Sequence, residues 1–429
     1  MGVVNKKQLE FLNYFENVFE CQKNKHQNDI SNGVCFILGD FFFDYLMFFL
    51  ERFSFSESNS IKIPGCSIPV VMHNSCYIKE SNFLFCSIGF FDFVIVQYRN
   101  FCDGIIVVSD MIFFGSSTST VLSKVAIFKK LFVDKKIQKK ERRKFRGFWA
   151  SQKLPYHYFY DVLPAVYKVN TNIANKRDFF FIKGGAFLDL KKIFSIKDYF
   201  EVDLHPLYCE DLRISLLKPV FSRNIISELD TFLVDKVKLL YGSKNILNHY
   251  NKKEMLFVWI NIMEGKRSLA NQFEIIKSII NIIKSSTEKK PFFIFDGMTS
   301  NISESTQVCW LNDKHHTMIE KIINACDLHE TSLNIHGKNS IDKIVCACSI
   351  DIFFSDASTS SMYPARFAKK KGLAYGVHPK AYIYHIHPCS EFIFELEDFS
   401  KVASYWDRRD ISISKNKVLN AFEHVLGKV

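Results

Sequence analysis

The sequence predicts an α/β protein of two domains, the second of them built on a doubly wound parallel sheet. Three observations predict it. The chain has 429 residues, and a single hydrophobic core rarely grows past about 300. From about residue 250 onward, apolar runs of strand length alternate with segments of helical spacing. That order makes parallel sheets joined by crossover helices. The polar stretch GSKNILNHYNKK, residues 242–253, separates the halves. The boundary is placed there, giving domains 1–245 and 246–429, with room for the last helix to cross back to the first domain.

The elements follow in order. Residues 1–30 read as a helix with a polar tail, interrupted by Glu10, Asn13, Glu16 and Asn17, which a signal peptide would not contain. Val34 to Leu50 is the most apolar window. It carries Asp40 and Asp44, so it reads as a buried helix and not as a membrane span. Phe83 to Tyr98 and Gly104 to Phe114 are rich in β-branched and aromatic residues and read as strands. Leu154 to Asn170 reads as a helix, with Pro155 suited to a first turn and Pro164 expected to bend or end it.

Asp178 to Ile182 is a buried strand, and Asn224 to Tyr241 has helical spacing. Met255 to Ile262 (MLFVWINI) is continuously apolar, as central parallel strands are. Leu269 to Ser285 is an amphipathic helix presenting Phe273, Ile276, Ile279, Ile280 and Ile283. Strands at Pro291 to Phe295, Ser332 to Ile335 and Ile350 to Phe354 then alternate with helices at Ile319 to Cys326, Ile341 to Cys348 and Pro364 to Lys371.

Composition narrows the function. Hydrophobic residues make up 48% and charged residues 24%, a globular balance. The 44 Phe read mainly as core filling. Twelve Cys are scattered without zinc spacing, as reduced thiols of a cytosolic protein are. The net charge of +11 is concentrated in Lys129 to Arg146, where ten of eighteen residues are basic and two acidic. That segment is a solvated face or a docking site for an anionic membrane. Without an RNP, KH or zinc-finger pattern, nucleic acid is not expected as a partner.

Chemistry concentrates in three segments. In LPYHYFYDVLPAVYKV, residues 154–169, His157 and Asp161 are four apart and share a helix face. A carboxylate that orients an imidazole makes a general base. In WINIMEGKRSLANQFEII, residues 259–276, Lys266 and Arg267 supply cations and Asn271 follows in the turn before a helix. Such cations can neutralise a diphosphate leaving group. Between Asp356 and a helix lie Ser358, Thr359, Ser360 and Ser361, hydroxyls placed to hold a phosphate. His315-His316 and His385/His387 have no carboxylate or Cys at regular spacing, so no metal is assigned and no cofactor is expected. There is no Walker A, G-x-S-x-G or G-x-G-x-x-G pattern.

The first segment resembles the family-61 (DUF563-type) glycosyltransferase motif, in its Tyr156-His157, Asp161 and Leu163-Pro164. Tyr158 stands for the family's Trp and Ala165 for its Arg. The second resembles the family's strand, basic turn and R-x-x-x-N-E-x-E, with Gln272 for the commoner Glu and Glu274 kept. The third has the layout of the family's helix, strand and Gly-His-Gly-Ala loop, with the hydroxyl run in place of that loop. Residues 1–146 match nothing in it.

The resemblance implies a GT-B-type fold, two Rossmann-like domains facing a cleft. It implies an inverting, metal-independent transfer of a sugar from a nucleotide sugar to a glycan or lipid-linked glycan acceptor. His157 or Asp161 would take the acceptor proton; Lys266, Arg267, Asn271 and the 358–361 hydroxyls would hold the phosphates. It further implies polysaccharide, capsule or lipopolysaccharide synthesis at the cytoplasmic face of a bacterial inner membrane. A rival resemblance is to CMP-sugar-dependent sialyl- and Kdo-transferases, with Asp296-Gly297, His378-Pro379 and Ser360-Ser361 as its parts. There Asp296 and His378 would be the working pair. A third reading is a non-catalytic glycan- or membrane-docking protein of the same fold.

Overall fold

A computed structural model gives the fold. It describes residues 60–61, 70–88, 91–98, 103–108, 111–115, 119–140, 145–150, 154–172, 178–182, 185–196, 199–202, 212–215, 223–265, 268–300, 310–377, 390–395 and 410–429. The 1–30 and 34–50 helices of the sequence reading lie outside these, as do Lys266, Arg267 and His378. The chain divides into two compact units, residues 1–186 with 190–226, and residues 187–189 with 227–429.

The described residues of the first unit form two sheets. Strands β1 (Ser60–Ile61), β2 (Val70–Ile78), β3 (Ser81–Ile88), β4 (Phe91–Gln97), β5 (Gly104–Val107) and β6 (Ile112–Gly115) form an antiparallel meander in sequence order. The single strands expected at 83–98 and 104–114 are therefore two hairpins. Ile88 pairs with Phe91 and Val107 with Ile112, because aromatic and β-branched residues stay enriched on both sides of a turn. Helix α1 (Ser119–Val133) covers one face, seating Val121, Val125 and Phe128. The Phe128 ring stacks on Phe83 at 4.6 Å.

The second sheet is parallel, in the order β10-β7-β8-β9, from β7 (Phe145–Trp149), β8 (Asp178–Ile182), β9 (Tyr199–Val202) and β10 (Leu212–Ser215). Tyr77, Trp149 and Phe180 pack together between the sheets. Gly147 has φ +146°, and a Cβ there would lie 1.9 Å from the Asp178 carbonyl oxygen. Only glycine lets these strands approach at that point.

Between β7 and β8 runs a helix with an irregular centre. A turn at Pro155–His157 passes through a π-helical segment, Tyr158–Val162, into helix α2, Leu163–Asn172. Pro164 was expected to bend or end the helix, yet the helix continues to Asn172. The π turn widens the ladder, with Leu163 N donating to Tyr158 O five residues back. A proline just beyond such a turn lacks only an N–H that the ladder has already rearranged.

The second unit is a Rossmann-like α/β domain. Among the described residues its strands are β11 (Met255–Asn261), β12 (Lys290–Asp296), β13 (Ser332–Asn334), β14 (Ile352–Asp356), β15 (Lys371–Gly376) and β16 (Ser390–Phe394). All pair in parallel, in the order β13-β12-β11-β14-β15-β16. Every residue of β11 is buried, which is why its run stays apolar as far as Asn261 at its end. Helices α3 (Arg223–Tyr241), α4 (Gln272–Ser286), α5 (Trp310–Cys326), α6 (Ser340–Ala347) and α7 (Lys415–Leu426) belong to this part of the chain. Helix α4 buries Ile275, Ile276, Ile279, Ile280 and Ile283.

Two boundaries differ from the sequence reading. The division falls near residue 226, upstream of the polar stretch at 242–253. Helix α3 is tied into the second unit by a buried, two-pronged ion pair between Asp230 and Arg366, with Arg366 Nη2 at 2.7 Å and Nε at 2.8 Å from the carboxylate oxygens. The polar stretch is tied there too, as Asn245 Nδ2 donates to Val345 O at 3.2 Å. Helix α7 does not cross back, since Val418, Phe422 and Val425 sit in the same core as β15 and α4.

Candidate active site

Strand order fixes where a ligand can sit in the second unit. Chain order reverses direction between β11 and β14, and the crevice at the carboxyl ends of the strands there is the ligand position of doubly wound sheets. Four of those strands end in polar side chains, β11 at Asn261, β12 at Asp296, β13 at Asn334 and β14 at Asp356.

The loop after β11 is held by Gln272 and His315, in roles their spacing did not indicate. Gln272 Oε1 accepts from Met263 N and its Nε2 donates to Met263 O, both at 3.0 Å. An ionised carboxylate at this position could accept but not donate, whereas the amide does both. His315 Nε2 accepts from Glu264 N at 3.1 Å. His336 Nδ1 accepts from Met298 N at 3.1 Å, and the two imidazoles stack at 5.4 Å. Asn271 is exposed, in left-handed backbone with φ +57°, and its side chain does not cap α4. Asn tolerates that conformation better than most residues.

The hydroxyl run after β14 is largely occupied. Ser358 Oγ donates to the Asp356 carboxylate. Ser361 Oγ donates to Ser358 O at 2.9 Å, and Ser360 Oγ to Met263 Sδ at 3.5 Å. Thr359 alone of the four has no such bond among the described residues. The run thus folds the strand-end loop first, through a 3-10 turn at Thr359–Met362 and a π turn at Tyr363–Phe367. Its protons are not all available to a phosphate.

Beside it lies a closed ionic cluster. Lys343 and Asp296 have fully buried side chains, with Nζ to Oδ1 at 2.5 Å. Burial pushes the Asp296 carboxyl up, and the Lys343 charge opposes it. Burial likewise pushes the Lys343 ammonium down, and Asp296 opposes that. Lys343 Nζ also reaches Met298 O at 2.8 Å and Thr299 Oγ1 at 3.1 Å. Asp296 is therefore an internal counter-ion and not a carboxylate presented to substrate. A lone Lys inside IDKIVCA, a helix buried on nearly every side, is the signal that could have revealed the cluster.

In the first unit, the π turn brings His157 and Asp161 together. His157 Nδ1 lies 2.6 Å from Asp161 Oδ2; the carboxylate side chain is 6% exposed and the imidazole 27%. A carboxylate only accepts, so Nδ1 carries a proton, and in the neutral imidazole Nε2 is then the acceptor. Tyr156 stacks on Tyr160 at 5.0 Å and meets the His157 ring edge-on at 5.1 Å.

The basic segment resolves into parts. Lys130, Lys135 and Lys136 are exposed, while Lys139 pairs with Asp92 at 2.5 Å. Among the described residues, no helix is long and apolar enough to cross a membrane, and no group of three or more His, Cys, Asp or Glu is placed to hold a metal ion.

No family profile matches the chain, and no curated protein matches it. Among solved structures, E. coli ADP-heptose lps heptosyltransferase II is similar at 8% identity, over 66% of this chain and 99% of that one, with a TM-score of 0.41. A glycosyl transferase of family 9 from Veillonella parvula is similar at 11% identity, over 62% of this chain and 79% of that one, with a TM-score of 0.30. A UDP-GlcNAc 2-epimerase from Methanocaldococcus jannaschii reaches 9% identity over 72% of this chain and 76% of that one, again with a TM-score of 0.30. The class of this protein therefore rests on its own topology and on the residues of its site.

Proposed function

We propose that the protein is a GT-B-type glycosyltransferase that moves a sugar from a nucleotide sugar to a hydroxyl of a glycan or lipid-linked glycan. The observation that carries this reading is the His157–Asp161 pair at 2.6 Å. It forms within the very segment that resembles the family-61 motif. The Rossmann-like order of the second unit adds a strand-end crevice of the kind nucleotides occupy.

In this reading His157 Nε2 takes the proton of the acceptor hydroxyl while Asp161 stabilises the imidazolium that forms. The acceptor oxygen bonds to the anomeric carbon, and the bond from that carbon to the phosphate oxygen breaks. The nucleotide leaves with the electron pair, and the anomeric centre inverts. Burial and ion pairing of Asp296 weigh against the CMP-sugar alternative, in which that carboxylate would be the base.

The test is thermal denaturation against UDP, GDP, CMP and their sugars, without added metal. A ligand at about 100 times its dissociation constant stabilises a protein by roughly 2.7 kcal/mol. UDP or GDP is expected to raise Tm. Stabilisation by CMP alone would favour the CMP-sugar reading, and a folded protein that responds to none would favour the non-catalytic one.

We also propose that the exposed Lys130, Lys135 and Lys136 dock on an anionic membrane surface, each adding about 1 kcal/mol. Binding to phosphatidylserine vesicles is expected to weaken with salt. Equal binding to phosphatidylcholine vesicles would refute it.

A further inference from the structure

Hydrogen-bond direction singles out one more residue. Tyr363 OH donates to Thr299 Oγ1 at 3.1 Å, and Lys343 Nζ donates to the same oxygen at 3.1 Å. A hydroxyl oxygen has two acceptor sites and one proton. Both acceptor sites of Thr299 are thereby filled, so it can only donate outward. Tyr363 has spent its single proton on Thr299, so Ser340 Oγ, 2.9 Å away, must be the donor in its bond with Tyr363. The result is a one-way chain from Ser340 through Tyr363 to Thr299, joined by the Lys343 ammonium. Such chains polarise one another in the donor direction.

The chain ends in the right place to matter. Ser340 is fully buried and Tyr363 is 1% exposed, whereas Thr299 is partly exposed. Thr299 lies three residues past the end of β12, the strand beside β11. Among the described residues its own proton has no acceptor.

We infer that Thr299 is a fixed hydrogen-bond donor to a phosphoryl oxygen of the nucleotide sugar; this deepens the glycosyltransferase reading and rests on it. The match is one of chemistry. Ribose and sugar hydroxyls both give and take hydrogen bonds, whereas phosphoryl oxygens of the ionised diphosphate only accept. A group restricted to donating suits a group restricted to accepting. A hydrogen bond to a charged partner is also worth more than one between neutral groups.

The experiment compares dissociation constants of the full-length wild type, Thr299→Val and Thr299→Ser. The probes are UDP, GDP and CMP, each beside its own nucleoside. Thr299→Val is expected to weaken binding of the nucleotide by about tenfold or more and to leave the nucleoside unchanged. Thr299→Ser, which keeps the hydroxyl, is expected to stay within about threefold of wild type. Thr299→Val binding the nucleotide as wild type does, or losing nucleoside and nucleotide alike, overturns the inference. Should Thr299→Val not fold, Thr299→Cys, a small side chain with only a weak S–H donor, takes its place, and the same two outcomes decide. Wild-type protein that binds no nucleotide would sink the glycosyltransferase reading itself; normal wild-type binding with an indifferent Val variant would sink only the role of Thr299.

Discussion

Replacing His157 by Ala is expected to lower kcat by about 10²–10⁴-fold, the usual worth of a positioned general base, while nucleotide binding stays intact. The imidazole is partly exposed, so the substitution removes chemistry more than packing. Asp161→Asn is the finer probe. An Asn amide can donate to Nδ1, which moves the ring proton to Nε2 and leaves no acceptor there for the substrate hydroxyl. Its kcat is expected to fall while the fold and nucleotide affinity are kept. Initial rates under saturating donor measure both. A His157→Ala enzyme within about threefold of wild type would remove His157 from the reaction.

Lys343→Met is expected to cost about 3–5 kcal/mol of stability, because it strands the Asp296 carboxylate in a fully buried position. The double change Asp296→Leu with Lys343→Met removes both charges together. It is expected to recover most of that loss, since buried pairs are often replaceable by apolar groups of similar volume. Urea unfolding of the two single variants and the double variant measures the coupling. A double variant no more stable than Lys343→Met would mean that the pair is not what the single change breaks. A recovered fold with weakened nucleotide binding is the further expectation. The ammonium also holds Met298 and Thr299, and methionine cannot.

The two effects sit differently with respect to the sequence. His157 and Asp161 were legible because spacing of four on a helix is enough to pair them, and the π turn did not undo it. Strands β11, β12 and β14 were legible because a strand buried on both faces must be apolar throughout. The hairpins at 83–98 and 104–115 were not, since enrichment in β-branched and aromatic residues says nothing about where a strand folds back. Pro164 misled because its usual cost assumes an α ladder, and this ladder had already widened. The lone Lys343 in a buried helix hinted at a charge partner, but Asp296 as that partner and the Ser340–Tyr363–Thr299 chain were not legible, because their members come from separate elements. Ser358 to Ser361 illustrate the reverse, where residue type was right for a phosphate but the loop itself claims most of the protons.

The two-pronged contact between Asp230 and Arg366 joins residues 136 apart in sequence. It sets the smallest piece of this chain that can be exchanged for another. A swap made at the inviting polar stretch before β11 would deliver an arginine, 5% exposed, to a partner lacking its acid. Recombination that preserves the sheet must therefore carry helix α3 with it. The natural seam of this protein falls near residue 226, in the first turn of helix α3, and not in the stretch that looks like a linker.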